Sequence, residues 1–286
     1  MPPQVASRSV VITGVSTGIG WGTAKALSAR GYRVFGSVRK KEDGERVARE
    51  LGSGFAPLVF DVTDPTAIAA ARRQVQMALG NECLGGLINN SGIGVGGPLL
   101  HQSPEVFRQH FDVNLFGLLA VTREFAPLLG ATELPLSLPG RIVNISSVAG
   151  KLAVPFMGAY VASKHAVEGL SQVLRRELLL YGIDVIIIGP GAVNTPIWDK
   201  GTDPEPYRGS AYFKSLVGFV DYFVKEGRKG FAPEEFGEKI AAIFETRKPK
   251  TRYALVPHKF SGWVMPRLLP DRTLDRNIGK KTGLLK

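Results

Sequence analysis

The sequence predicts an α/β fold: one doubly wound parallel sheet of about seven strands with helices on both faces. Three observations predict it. Short β-branched runs alternate with longer helical stretches through the first two thirds of the chain, and repeated strand–helix–strand units build a parallel sheet. The runs are continuously apolar rather than alternating, as strands covered on both faces are. A glycine-rich turn joins the first run to the first helix.

In chain order, strands are expected at Ser9–Thr13, Tyr32–Val38, Ala56–Phe60, Leu84–Asn89, Arg141–Ser146 and Ile183–Ile188. Helices are expected at Ile19–Arg30, Asp43–Leu51, Pro65–Leu79, Pro104–Leu129 and Gly158–Tyr181. Asp64-Pro65 and Ser103-Pro104 each put a capping side chain before a proline at the first helical position. Gly85-Gly86 make the fourth strand the weakest of the set, since glycine packs no side chain. After Pro190 the alternation stops. Residues 194–231 read as an irregular lid with eight aromatics: Trp198, Tyr207, Tyr212, Phe213, Phe219, Tyr222, Phe223 and Phe231. A helix near 233–246 and a short strand near 252–256 close the sheet. With no repeat and no linker, residues 1–286 read as a single domain, with 258–286 as a basic extension.

Composition narrows the function classes. In 286 residues, 44% hydrophobic against 21% charged excludes a disordered chain. A single cysteine, Cys83, excludes an internal disulfide framework and a Cys-based zinc site. His101, His110, His165 and His258 lack ligand spacing, so no metal is expected. The first residues lack the apolar core of a signal peptide, and no stretch is long and apolar enough to span a membrane, so a cytoplasmic protein is expected. Asn144-Ile145-Ser146 is formally a glycosylation sequon, but it falls on a predicted strand.

The net charge of +11 is unevenly placed. Residues 246–286 hold eleven Lys/Arg against Asp271 and Asp275, a net +9, which leaves +2 for the rest. With no recognition motif, no nucleic acid is expected as partner. The tail mixes its charge with Trp263, Val264, Met265, Leu268 and Leu269, a composition suited to peripheral contact with an anionic membrane. Pro257, Pro266 and Pro270 break any long helix there, and the plainer reading is a tail packed on the body with its charges solvated. The segment Gly130–Gly140, with Leu134, Leu136 and Leu138, reads as a surface cover or a partner contact.

The glycine turn reads Gly14-Val15-Ser16-Thr17-Gly18-Ile19-Gly20. Gly14 permits the turn, Gly18 lets the backbone approach a pyrophosphate, and Gly20 lets the helix pack closely, while the helix N-terminus offers free N–H groups to phosphate. At the end of the second strand, where a carboxylate would accept both ribose hydroxyls, stand Arg39-Lys40. Cations there match a 2′-phosphate and favour NADP(H) over NAD(H). Further on, the fifth strand ends in Asn144-Ile145-Ser146-Ser147, with Tyr160 thirteen residues after Ser147 and Lys164 four after that. Tyr160 and Lys164 share a helix face, so a strand-end serine can meet the pair across a cleft. A neighbouring ammonium is expected to lower the tyrosine pKa, and a serine hydroxyl can hold a substrate oxygen. Such a trio moves a proton while a cofactor exchanges hydride.

These motifs, spread in order over residues 8–200, resemble the short-chain dehydrogenase/reductase family in its compact, single-domain, Rossmann-like form. Thr13–Gly20 is similar to the family's TGxxxGIG. Phe60-Asp61-Val62-Thr63 resembles the end of its third strand, which implies Asp61 at the adenine amino group and Val62 on the ring. Asn89-Asn90-Ser91-Gly92 resembles NNAG, with Ser91 in place of alanine. Asn114 matches the asparagine that holds a relay water. Pro190-Gly191, Val193 and Thr195 match the loop at the nicotinamide and phosphates.

The resemblance implies Tyr160 as acid/base, Lys164 on the nicotinamide ribose, Ser147 as the orienting hydroxyl and Asn114 as the link from Lys164 through water to solvent. The cofactor-binding set it implies is Gly14, Ser16, Thr17, Gly18, Ile19, Gly20, Arg39, Lys40, Asp61, Val62, Asn90, Ser91, Gly92, Tyr160, Lys164, Pro190, Gly191, Val193 and Thr195. It also implies pairing through the helices around Pro104–Leu129 and Gly158–Tyr181, giving a homodimer or homotetramer. The aromatic lid, with Phe156, Met157 and Ile93–Leu99, suggests an apolar pocket for a lipophilic alcohol or carbonyl, most like the hydroxysteroid and retinol dehydrogenase branch. The rival class is a protein that binds NADP(H) without turnover. Intact Asn114, Ser147, Tyr160 and Lys164 argue against it.

Overall fold

A computed structural model describes residues 7–132, 138–197 and 202–285. Leu134, Leu136 and Trp198, with residues 1–6 of the N-terminus and Lys286, lie outside the described residues. The chain runs β1 (Ser9–Ile12), α1 (Gly18–Ala29), β2 (Arg33–Val38), α2 (Lys41–Leu51), β3 (Phe55–Val59), α3 (Pro65–Leu79) and β4 (Gly86–Asn89). It continues through α4 (Pro104–Phe111), α5 (Leu118–Phe125), β5 (Arg141–Ile145), α6 (Gly158–Glu177), β6 (Asp184–Pro190), α7 (Phe213–Arg228), α8 (Pro233–Glu245), β7 (Arg252–Leu255), α9 (Met265–Leu268) and α10 (Asp271–Lys281).

The seven strands form one sheet in the order β3-β2-β1-β4-β5-β6-β7, with every neighbouring pair parallel. Because the winding reverses between β1 and β4, a crevice opens at the C-terminal ends of those two strands, the place where such sheets hold ligands. Two apolar layers cover the sheet. One packs Val10, Ile12, Val34, Ile88 and Ile186 against Leu27, Phe236 and Phe244. The other packs Val11, Phe35, Leu87 and Ile142 against Ile68, Val121 and Phe125. Between β4, β5 and the helices runs a buried polar chain. Asn89 Nδ2 donates to Thr122 Oγ1 and Asn144 Oδ1, and Asn144 Nδ2 donates to Ser171 Oγ, each at 2.9 Å. Asn144 is therefore interior, not a glycan acceptor.

Three glycines show why small residues are needed. β4 forms despite its glycines because a β-carbon on Gly86 would fall 2.3 Å from the Phe244 ring. The helices α1 and α8 meet at Gly22 and Gly237. A β-carbon on Gly22 would sit 2.0 Å from the Pro233 carbonyl oxygen, and one on Gly237 would sit 2.2 Å from Gly22 itself. Gly22→Val is expected to cost about 3 kcal/mol, the upper range for overpacking. Chemical denaturation measures it, and a loss under about 0.5 kcal/mol, the scale of ordinary surface substitutions, would show that the helices can part.

Several features differ from the sequence reading, among them the start of β4 at Gly86 rather than Leu84. The stretch Pro104–Leu129 is not one α-helix: a π-helical turn, Asp112–Gly117, separates α4 from α5, and a 3-10 turn, Ala126–Leu129, ends it. At Gly117 a β-carbon would lie 2.7 Å from Val62, so the turn lets this segment close on the end of β3. α2 begins at Lys41 rather than Asp43. Asp64 caps α3 through the Thr66 and Ala67 N–H groups, whereas Ser103 sits at the cap of α4 without a side-chain bond to it. The lid is not irregular throughout. It holds α7, whose Leu216, Phe219, Val220 and Phe223 recur at helical spacing and pack together. That period was hidden by Gly218 and by the density of aromatics.

Candidate active site

The glycine turn is built as a cradle. Gly14 and Gly18 have φ of +71° and +62°, a region that favours glycine. Gly20 has no room for a side chain, since its β-carbon would come 2.2 Å from the Gly14 carbonyl oxygen and 2.4 Å from Asn90 Nδ2. The loop is held from three sides. Ser37 Oγ accepts from Gly14 N–H at 3.0 Å. Asn90 Nδ2 donates to the Thr13 and Gly14 carbonyls at 2.8 and 3.0 Å. Thr13 Oγ1 accepts from the Asn90 and Ser91 N–H groups. Arg46 donates to the Ser16 carbonyl at 2.6 Å. α1 starts after Thr17 with no side-chain cap and no acidic residue in its first turn, so its first N–H groups are left for an anion. Thr195 closes the cradle, its methyl 3.0 Å from where a Gly18 β-carbon would be. The half-buried Ile19 anchors the turn on the core.

The other predicted contacts stand around this cradle. Arg39 and Lys40 follow β2 and are exposed, with no ion-pair partner among the described residues. Asp61 Oδ1 accepts from Thr63 N–H and Oγ1 at 2.9 and 2.7 Å, and Val62 is buried beside it. Gly191 N–H donates to Leu255, holding the turn after Pro190, and Val193 pairs with Phe231. These residues fit a dinucleotide: glycines where side chains would block it, and open N–H groups for its phosphates.

Ser147, Tyr160 and Lys164 gather at the end of β5. Ser147 is buried and accepts from Ala149 N–H at 3.0 Å. Lys164 is buried, donates to the Ile145 carbonyl at 3.0 Å, and lies 5.9 Å from the Tyr160 ring centroid. Burial lowers the Lys164 pKa to about 8, and Glu168 partly opposes this. The Tyr160 hydroxyl is not lowered, contrary to the sequence expectation. Burial pushes it up, and the Ser147 hydroxyl pulls weakly the other way. Desolvation of the phenol outweighs that help.

Asn114 lies in the π turn. Its Nδ2 donates to the Ile93 carbonyl and Ser163 Oγ, and its Oδ1 accepts from Ile93 N–H at 2.8 Å. The Gly92 backbone runs between Asn114 Oδ1 and Lys164 Nζ, which a β-carbon there would approach to 3.1 and 3.5 Å.

Above Tyr160 sits an apolar wall. Phe156, Met157, Leu216 and Phe219 are buried together, with Tyr160, Tyr207, Tyr212 and Phe223 packed on them. Phe156 has φ of +64°, rare for a residue with a side chain. Its ring is anchored edge-on by Phe219 and Tyr212, at 5.4 and 6.2 Å. Not all the lid aromatics belong to this wall: Phe231 packs on Phe236, and exposed Tyr222 carries Lys281 of the tail over its ring. The tail is docked, with Ser215 Oγ donating to the Gly283 carbonyl and Trp263 nearly buried. Sequence reasoning missed Ser37, Arg46, Glu168 and Arg252. For Glu168 a signal existed, since it stands one turn beyond Lys164.

The family model described as short chain dehydrogenase matches residues 8–206. The NADPH-dependent 3-dehydrocapnine reductase of Ornithobacterium rhinotracheale is 38% identical, with 94% of this chain and 95% of that protein covered. The 3-ketodihydrosphingosine reductase of Bacteroides thetaiotaomicron is 32% identical over 90% of this chain and 89% of its own. The crystal structure of a short-chain dehydrogenase from Streptomyces avermitilis superposes with a TM-score of 0.74 at 26% identity, covering 95% of this chain and 96% of that one. The parallel sheet with its β1/β4 crevice and glycine cradle is thus a Rossmann fold, and the chain belongs to the short-chain dehydrogenase/reductase family of oxidoreductases, which act on CH–OH groups with a nicotinamide cofactor.

Proposed function

We propose that this chain is an NADP(H)-dependent oxidoreductase interconverting a lipophilic alcohol and its ketone or aldehyde. The observation that carries the reading is the meeting of Ser147, Tyr160 and Lys164 between the glycine cradle and the apolar wall. The bound cofactor would supply or accept the hydride. Tyr160, whose hydroxyl burial keeps protonated, gives its proton to the carbonyl oxygen in reduction and takes it back in oxidation. The Ser147 hydroxyl orients that oxygen. Lys164 presents an ammonium beside the phenol and holds the ribose, and Asn114 fixes the Ile93 backbone facing it. Arg39 and Lys40 receive the 2′-phosphate that distinguishes NADPH.

For the substrate, the buried aromatic wall and the absence of a cationic cluster over residues 90–200 of the sequence support an apolar molecule. Two relatives are named as reductases of a 3-dehydro and a 3-keto compound, which favours reduction of a ketone as the working direction. Turnover at the NADPH absorbance band, run on long-chain 3-keto amines, steroids, retinal and small polar ketones, tests it. Efficient reduction of the small ketones alone would refute the lipophilic assignment. Lys164 is an ammonium below about pH 8 and neutral above, so kcat/KM for reduction is expected to fall on the alkaline side of that value. A profile flat to pH 10 would contradict this role.

Assembly follows the same reading. Exposed Phe116, Val173, Leu179 and Leu180 lie on and around α4–α6 and support pairing of two copies, to be read by light scattering. For the tail, exposed Phe260 and Leu268 beside Lys259, Arg267 and Arg272 support contact of a cytoplasmic enzyme with an anionic membrane surface. Co-sedimentation with anionic vesicles decides that.

A further inference from the structure

One turn after Lys164, α6 buries a second charge. Glu168 is 1% exposed, and a carboxylate so placed needs a partner. Its partner is Arg252, whose Nε–H is shared between the two oxygens, at 2.9 and 3.0 Å. Arg252 reaches this place from β7, where it sits in register with Ile187 of β6. Its Nη2 goes on to donate to the Ser147 carbonyl at 3.2 Å. Two glycines leave room for the pair. A β-carbon on Gly150 would fall 2.9 Å from Glu168 Cγ, and one on Gly189 would fall 2.6 Å from Arg252 Nη2. The remaining cation on the carboxylate is Lys151, at 3.8 Å and a third exposed.

The C-terminal extension then covers the arginine. The Trp263 ring lies 4.4 Å from the Arg252 guanidinium carbon and 4.7 Å from that of Arg267. Trp263 is 9% exposed, although its neighbours Phe260 and Leu268 are open to solvent. The Trp263 indole thus links the extension to Arg252 at the catalytic end of the sheet.

We propose that Glu168 and Arg252 are a positioning pair for the catalytic centre, holding the Ser147 backbone and setting a negative charge one turn from Lys164, with Trp263 as the cover that keeps water from the pair. The inference rests on the assignment of Ser147, Tyr160 and Lys164 as the reacting groups. Its electrostatic part is consistent with Glu168 opposing the loss of the Lys164 proton. The groups that face this centre are Lys164 and Tyr160 on α6, Ser147 and Lys151 after β5, Arg252 on β7 and Arg267 of the extension. His110 on α4 also feels the charge on Lys164. Side chains four apart on a helix are neighbours, and an opposite charge within about 4–6 Å moves a titrating group by about one pH unit or more.

The test uses the full chain with Glu168→Gln, Arg252→Lys and Trp263→Ala. Lysine side-chain nitrogen NMR on cofactor-free protein, with Lys164→Arg to assign the resonance, reads the Lys164 midpoint directly. In Glu168→Gln that midpoint is expected to fall by about one pH unit, and the alkaline limb of kcat/KM moves with it while NADPH affinity changes less than twofold. Trp263→Ala is expected to keep the fold, lower kcat about fivefold with little change in KM, and move the same limb in the same direction. Arg252→Lys, which keeps the charge but cannot hold Glu168 and the Ser147 carbonyl with one planar group, is expected to lie between Trp263→Ala and wild type. A folded Glu168→Gln with unmoved midpoint and limb would overturn the charge role. If Glu168→Gln does not fold, a Trp263→Ala enzyme with wild-type kcat and pH profile overturns the proposal instead. Wild-type protein that binds NADPH but reduces no carbonyl would refute the catalytic assignment, and the NMR midpoint would still decide whether Glu168 holds the Lys164 proton.

Discussion

Tyr160→Phe is expected to lower kcat by about a thousandfold, the scale of a lost general acid/base, while NADPH binds within twofold of wild type. The structure makes this variant unusually clean. The phenyl ring stays in its apolar seat against the buried cluster of Phe156 and Met157, so packing is kept. The oxygen removed is one that burial disfavours as phenolate and that only the Ser147 hydroxyl assists. Thermal stability should therefore change by no more than about 1 kcal/mol, the net value of one hydrogen bond. Ser147→Ala is a poorer probe, because the same hydroxyl also caps the Ala149 N–H and its loss mixes a folding cost with a catalytic one. NADPH fluorescence titration and single-turnover reduction check the Tyr160 variant. Residual turnover above a tenth of wild type would remove Tyr160 from the proton path and favour a protein that binds the nucleotide for another purpose.

The strands and helices, the cradle and the Tyr160–Lys164 pair are legible because each is local. A strand-turn-helix with glycines at 14, 18 and 20 is written in seven consecutive residues, and an i,i+4 pair needs only helical geometry. What stayed hidden depends on long-range register or on solvent. Arg252 reaches Glu168 across 84 positions, because β7 adds beside β6. Ser37 looked like an ordinary strand residue until the parallel pairing of β1 and β2 brought its hydroxyl to Gly14. The Tyr160 pKa was misjudged for a similar reason. The sequence shows the lysine that would lower it but not the burial that raises it. α7 is hidden in another way: Gly218 interrupts its apolar period, and the aromatics that form its buried face serve equally as a pocket wall.

Cofactor choice should hang on two exposed side chains. Arg39 and Lys40 follow the last residue of β2, and neither is engaged by a carboxylate among the described residues. Arg46, the other cation near the cradle, is tied to Asp43, Glu50 and the Ser16 carbonyl. Its charge is largely matched, and its bond supports the loop whichever cofactor is bound. On the proposed reading a 2′-phosphate would depend on Arg39 and Lys40, and the pyrophosphate on the glycine loop and the start of α1. Arg39→Asp removes a charge-assisted contact and adds repulsion. A loss of about 3 kcal/mol, the upper value for a hydrogen bond to a charged group, corresponds to a roughly hundredfold rise in the NADPH KM. NADH, with hydroxyls at that position, should be used as well as before or better, since an aspartate can accept from both. Arg46→Ala should weaken both cofactors alike, because it disturbs the loop they share. The decisive quantity is the ratio of kcat/KM for NADPH to that for NADH, which cancels general damage. A ratio unchanged in Arg39→Asp, or an equal change in Arg46→Ala, would mean that the phosphate is read elsewhere and that the basic pair after β2 is only a solvated strand end.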